Sequence, residues 1–172
     1  AFLARMAEGK TGEARKLLER HLPLPGILAR ICDHPCEDAC LRRDLGGSVA
    51  LHGLELACMR AAGSRERTLP LPPKRFRMAV VGAGLAGLAA AWDLARKAYP
   101  VTVLFHAGEP WQALLSRWPQ LGLEGAAGDL LAGDMEELSR KKVSFQQAES
   151  DSALLERLSV DYDAVLLDAD AA

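Results

Sequence analysis

Met78-Ala79-Val80-Val81-Gly82-Ala83-Gly84-Leu85-Ala86-Gly87 is the stretch that decides the fold. Four apolar residues read as a buried strand, and a glycine-punctuated turn then opens a helical run from Leu85 to Lys97. In such a strand–turn–helix each glycine has its own task. Gly82 makes the tight turn, Gly84 lets backbone approach a pyrophosphate, and Gly87 allows close helix–strand packing. The helix N-terminus presents free N–H groups and the positive end of its dipole to phosphates. Residues Gly82, Ala83, Gly84, Leu85, Ala86 and Gly87 are therefore the candidate dinucleotide-binding turn. The same residues also suit a ligand-free glycine-rich βα turn.

Outward from this turn the pattern alternates. Val101–Phe105 is a second strand, Asp129–Lys142 a helix, Val143–Gln147 a strand, Ser152–Leu158 a short helix and Ala164–Leu167 a last strand. That alternation predicts a parallel α/β sheet. A dinucleotide site of this type calls for an acidic residue about 20 residues after the glycines, to accept hydrogen bonds from ribose hydroxyls. Phe105 stands there, flanked by His106. Phenylalanine accepts no such bond, a loss of roughly 1.5–3 kcal/mol, or about one to two decades in affinity. Glu109 is a substitute acceptor from the next loop, and His106 would instead suit a phosphorylated ribose. Both Phe105 and His106 belong to the candidate cofactor-binding set.

Before the sheet the chain reads as helical. Phe2, Leu3 and Met6, then Ala14, Leu17 and Leu18, recur at amphipathic-helix spacing, with a break at Gly9–Gly12 and Thr11 as a cap. Pro23 and Pro25 end the second helix, and a further one runs from Leu51 to Ala62 and stops at Gly63. Leu69-Pro70-Leu71-Pro72-Pro73 is a stiff extended linker. The predicted organisation is thus a helical domain over 1–68, a Pro-rich linker over 69–75 and a Rossmann-like domain over 76–172.

Cys32-Asp33-His34-Pro35-Cys36-Glu37-Asp38-Ala39-Cys40 places three of the four cysteines in nine residues. Pro35 favours a tight turn that enters a helix near Cys36, converging thiols beside exposed backbone N–H groups. An iron–sulfur cluster takes four ligands, usually thiolates. The same spacing fits a buried apolar stripe, or a zinc site drawing on His34, His21 or His52. Cys58, in an apolar run, reads as core.

The bulk properties exclude several classes. With 172 residues, 49% apolar and 26% charged, the chain has globular composition, and a net charge of −2 provides no field for nucleic acid or anionic membrane. No apolar run approaches the roughly 20 residues of a membrane helix. No secretory leader is visible, so clustered cysteines point to metal or redox chemistry in a cytoplasmic setting. The start at Ala1 and the end at Ala172 read as those of a fragment. A hydrolase built on Ser116, His106 and Asp129 lacks a nucleophile elbow.

The run Pro23-Leu24-Pro25 through Arg30-Ile31-Cys32, with Pro35-Cys36-Glu37 and Cys40, resembles the N-terminal iron–sulfur domain of the glutamate synthase small subunit. The same domain occurs in dihydropyrimidine dehydrogenase. Phe2-Leu3, Ala7-Glu8-Gly9 and Leu54-Glu55 also fit, as do Val101-Thr102-Val103 and Tyr162 to Leu167. The resemblance implies an all-helical domain for two [4Fe–4S] clusters, then a partial Rossmann-like parallel-sheet domain for FAD. It implies that Cys32 and Cys36 serve one cluster, Cys40 the other, and that Glu55 lies beside the first as its candidate fourth ligand. The family carries four more cysteines upstream, so this chain holds an incomplete ligand set. Trp111-Gln112 and Asp168-Ala169-Asp170 replace glycine-containing turns that bring backbone close to flavin in the family. An NADPH domain, inserted later in the family, has no counterpart here, and NADPH is not expected on this chain.

The implied activity is that of an electron-transfer module of an FAD- and [4Fe–4S]-dependent oxidoreductase. Its partner would be a redox subunit or a further portion of the same protein. The alternative is a cofactor-poor docking subunit that keeps the fold without the flavin site.

Overall fold

The computed structural model describes residues 1–61, 71–122, 126–149 and 152–169. The expected stop at Gly63, the first two linker residues Leu69 and Pro70, and Asp170 lie outside them. The order is α1 (Phe2–Ala7), α2 (Thr11–His21), α3 (Pro25–Ile31), α4 (Pro35–Asp38), α5 (Leu51–Ala61), β1 (Met78–Val81), α6 (Leu85–Arg96) and β2 (Val101–Phe105). There follow α7 (Gln112–Arg117), α8 (Ala126–Arg140), β3 (Ser144–Gln147), α9 (Leu154–Asp161) and β4 (Ala164–Leu167).

The strands form one parallel sheet in the order β3-β2-β1-β4. Met78 pairs with both Val101 and Ala164, and Thr102 pairs with Ser144. Parallel neighbours need crossovers, which is why a helix separates each strand from the next. Side chains alternate across the sheet: Val80 and Val103 enter the main core, whereas Ala79 and Leu104 meet Leu154 and Leu158 on the other face.

The helical segment joins the same core. Leu24 and Ile27, both 0% exposed, pack with Val80, Leu88, Trp92 and Leu138. A smaller cluster gathers Ala14, Leu18, Ala29, Cys58, Met59 and Leu130. Cys58 is core, as its apolar neighbours indicate, and its thiol donates to the Thr11 carbonyl at 3.5 Å.

Two local expectations change. Lys10, not Thr11, precedes the first residue of α2, and no side chain caps that helix. Pro25 starts a helix as well as following one: it is the first residue of α3, where a missing N–H costs nothing and the ring pre-sets φ. α3 has no cap of its own. Instead the Ile27 N–H donates to Asp134 Oδ2 on α8 at 2.9 Å, across 107 residues of sequence. α3 and α7 lacked a periodic apolar stripe long enough to read, since each spans under two turns.

Candidate functional site

The glycine turn is built as the sequence predicts, and it lies at the C-terminal edge of the sheet. Gly82 has φ +103°, a conformation that a side chain would strain. Gly84 precedes α6, and Gly87 packs so tightly on the Gly82 carbonyl that a Cβ there would collide with it. Asp168, the residue after β4, completes the turn. Its carboxylate is 7% exposed, and Oδ2 accepts the Gly87 N–H at 3.0 Å. A Cβ on Gly84 would stand 2.5 Å from the same oxygen. The backbone of Asp168 is held too, its N–H donating to the Val81 carbonyl at 2.8 Å.

Phe105 is half-buried against the main core and offers no acceptor. His106 is exposed, and its carbonyl accepts from Gln147 Nε2 at 3.1 Å. Glu109 is exposed, and its carbonyl receives the Gln112 N–H at the start of α7. The last residue of β2 is Phe105, and His106 follows it, so no carboxylate stands at the end of that strand. The residues 82–87 are brought together; Phe105 and His106 lie at the same sheet edge on the neighbouring strand.

The cysteine segment is a loop threaded between α3 and α5. Cys32 ends α3 in an extended conformation, and His34, with φ 58°, turns the chain into α4, which carries Cys36. Cys36 is exposed, and Cys32 and Cys40 are half-buried. Backbone N–H groups of Val49 and Arg42 hydrogen-bond the Cys40 thiol and hold it below the usual thiol range, because they stabilise the thiolate. Glu37, between Cys36 and Cys40, accepts the His52 N–H at 2.8 Å and so caps the first turn of α5 from outside. That bond ties the cysteine loop to the helix bearing Glu55. Burial pushes the Glu55 carboxyl up, and Glu37 adds to the rise while His34 opposes it.

His34 and His52 stack at 3.6 Å between ring centroids, with planes 28° apart. Their Nδ1 atoms are buried without a hydrogen-bond partner. Burial, then the charge of His34, pushes His52 down. Among the described residues no three His, Cys, Asp or Glu side chains converge on a metal-sized site, so the zinc arrangement is not assembled. The donor set suits an iron–sulfur group in kind, with soft thiols and N–H donors already directed at Cys40. Cys32, Cys36, Cys40 and Glu55 do not, however, close into one four-ligand site. The flavin fits less well, since Asp168 stands where its pyrophosphate would meet the turn.

Sequence reasoning missed three contacts. Glu37 and Asp134 act as caps on helices remote in sequence, a role no local pattern encodes. Asp168 carried a usable signal: an acid directly after a strand whose C-terminal end lies beside the glycine turn.

The site joins a cysteine-rich helical segment to a parallel sheet that opens on a glycine fingerprint. Comparison with known proteins agrees. Residues 1–66 match the family described as dihydropyrimidine dehydrogenase domain II, 4Fe-4S cluster, and residues 80–109 match the NAD(P)-binding Rossmann-like domain. The chain is 33% identical over 106 residues to the NADPH-Fe(3+) oxidoreductase subunit beta of Geobacter sulfurreducens, covering 60% of this chain and 16% of that one. It is 27% identical over 195 residues to the NADP(+)-dependent formate dehydrogenase subunit beta of Moorella thermoacetica, covering 97% and 27%. To the glutamate synthase [NADPH] small chain of Mycobacterium tuberculosis it is 35% identical over 98 residues, covering 55% and 20%. The chain is similar to subunits of these oxidoreductases over part of their length, and it spans about a sixth to a quarter of the relatives it matches.

Proposed function

We propose that the chain is the cofactor-carrying N-terminal-type segment of an electron-transfer oxidoreductase subunit, cytoplasmic and docked on a redox partner. Its iron–sulfur half supports this reading most directly. Cys32, Cys36 and Cys40, with Glu55 beside them, are the residues that would hold [4Fe–4S] groups, sharing ligands with a further portion of the protein. When bound, such groups supply one-electron transfer. The chain's own part is to fix the thiols: Glu37 locks the loop to α5, and two backbone N–H groups stabilise negative charge on Cys40. The observation that carries the proposal is the 2.8 Å bond from the His52 N–H to Glu37, which fixes the loop bearing Cys32, Cys36 and Cys40 to the helix bearing Glu55.

The dinucleotide half is read as an FAD-type turn that lacks a ribose acceptor. Here Phe105 and the placement of Asp168 favour the second reading, a segment that keeps the fold for docking and holds flavin weakly. Among the described residues no helix is long and apolar enough to cross a membrane.

The test is anaerobic purification with iron, sulfide and flavin analysis, absorption and EPR spectra. Iron and acid-labile sulfide that fall in Cys40→Ser support the electron-transfer reading. A folded, colourless protein that takes up neither iron nor sulfide on reconstitution would sink it.

A further inference from the structure

We propose that Asp168 is an internal occupant of the dinucleotide turn, an autoinhibitory side chain that sets the site's affinity for phosphate-bearing ligands. The inference rests on reading residues 82–87 as a dinucleotide turn and extends it to the residue that controls access.

The geometry makes one oxygen the centre of the turn. Asp168 Oδ2 accepts the Gly87 N–H at 3.0 Å, would lie 2.5 Å from a Cβ on Gly84, and would lie 2.9 Å from a Cβ on Gly87. It therefore occupies the space that the missing side chains of both glycines leave open. That space and that N–H group belong to what a pyrophosphate needs at a helix N-terminus. A carboxylate is an anion, so it satisfies the Gly87 N–H in the first turn of α6 and complements the dipole without a ligand. Its burial at 7% exposure and the 2.8 Å bond from its own N–H to Val81 hold it in place.

Two penalties then face an incoming dinucleotide. It must displace Asp168 from a charge-assisted hydrogen bond, and its phosphates must approach a carboxylate tethered at the same spot. The glycine fingerprint remains necessary in the ligand-free protein, because Gly84 and Gly87 make room for Asp168 itself. Retention of Gly82-Ala83-Gly84-Leu85-Ala86-Gly87 beside a Phe105 that cannot hold ribose has, in this way, a physical reason within the chain.

The experiment is calorimetric titration of the whole chain and of Asp168→Asn and Asp168→Ala with FAD, ADP and adenosine. Asp168→Asn keeps the shape and an acceptor for Gly87 but removes the charge; Asp168→Ala removes both. The expected result is tighter FAD and ADP binding in the order Ala, Asn, unchanged chain, with a gain of about tenfold or more for Ala. Adenosine, which carries no phosphate, should show no such gain. The Gly87 amide, followed by hydrogen exchange, should lose protection in Asp168→Ala without ligand and regain it with ADP. Equal affinities in all three proteins overturn the proposal: if all bind FAD tightly, the flavin reading survives alone, and if none binds, both fall. Iron and sulfide content reads the iron–sulfur half separately. Should Asp168→Ala not fold, Asp168→Asn decides the matter by the same comparison.

Discussion

Replacing Asp134 tests whether one carboxylate locks the helical segment onto the sheet. Asp134 is 1% exposed on α8, and its Oδ2 receives the Ile27 N–H at 2.9 Å. Ile27 is the third residue of α3, so its N–H has no intrahelical partner, and α3 has no side-chain cap of its own. In Asp134→Ala that donor is left buried and unsatisfied. A hydrogen bond to a charged group contributes about 1.5–3 kcal/mol, and losing a cap costs about 0.5–2 kcal/mol. The two describe the same bond, so the expected loss is about 2–3 kcal/mol rather than their sum. For a chain of this size that lowers Tm by roughly 5–10 °C. Asp134→Asn keeps an acceptor and should lose about half as much. Urea and thermal unfolding followed by circular dichroism read both variants. Native-state labelling of Cys32, which follows α3, should speed up in Asp134→Ala as that helix opens. An Asp134→Ala protein as stable as the parent would refute the reasoning: the cost of burying the carboxylate would then cancel its bond.

Gly87→Ala should destabilise the fold by about 1–3 kcal/mol through overpacking, since the new Cβ meets the Gly82 carbonyl; unfolding by urea checks it. Thiol alkylation at neutral pH should modify Cys40 ahead of Cys58, whose thiol is pushed up by burial and lies at 0% exposure; mass spectrometry of timed digests reads the order. Acidification should weaken the fold through His52. Its folded-state pKa is depressed, so its contribution is fully present above the ordinary value of 6.5 and is lost as pH falls through the lower folded value. His52→Gln should flatten stability between about pH 7 and about pH 5; denaturant midpoints across that range would expose an unchanged slope.

Much of the sheet was legible because strands announce themselves locally. Met78–Val81, Val101–Phe105 and Ala164–Leu167 coincide with their apolar runs, since each run is bounded by turn residues; the first two carry buried side chains, whereas the last has none and is held by its pairing with β1. Helix ends shifted by a few residues: α8 begins at Ala126 rather than Asp129, and α9 runs Leu154–Asp161 rather than Ser152–Leu158. Short helices were missed where proline or tertiary contact supplies the start. In the cysteine loop the turn into a helix near Cys36 followed from Pro35, whose ring suits a first helical position.

By itself the sequence determined the parallel sheet, the glycine turn, the cysteine loop and the gap at Phe105. Each depends on residue type and spacing within a few turns of chain. Only the tertiary structure decided what fills and fastens them. Asp134 reaches α3 across 107 residues, and Asp168 reaches Gly87 across 81. A carboxylate carries no mark of a distant N–H that it will meet, and the sheet order that brings β4 beside β1 is what aims Asp168 at the turn.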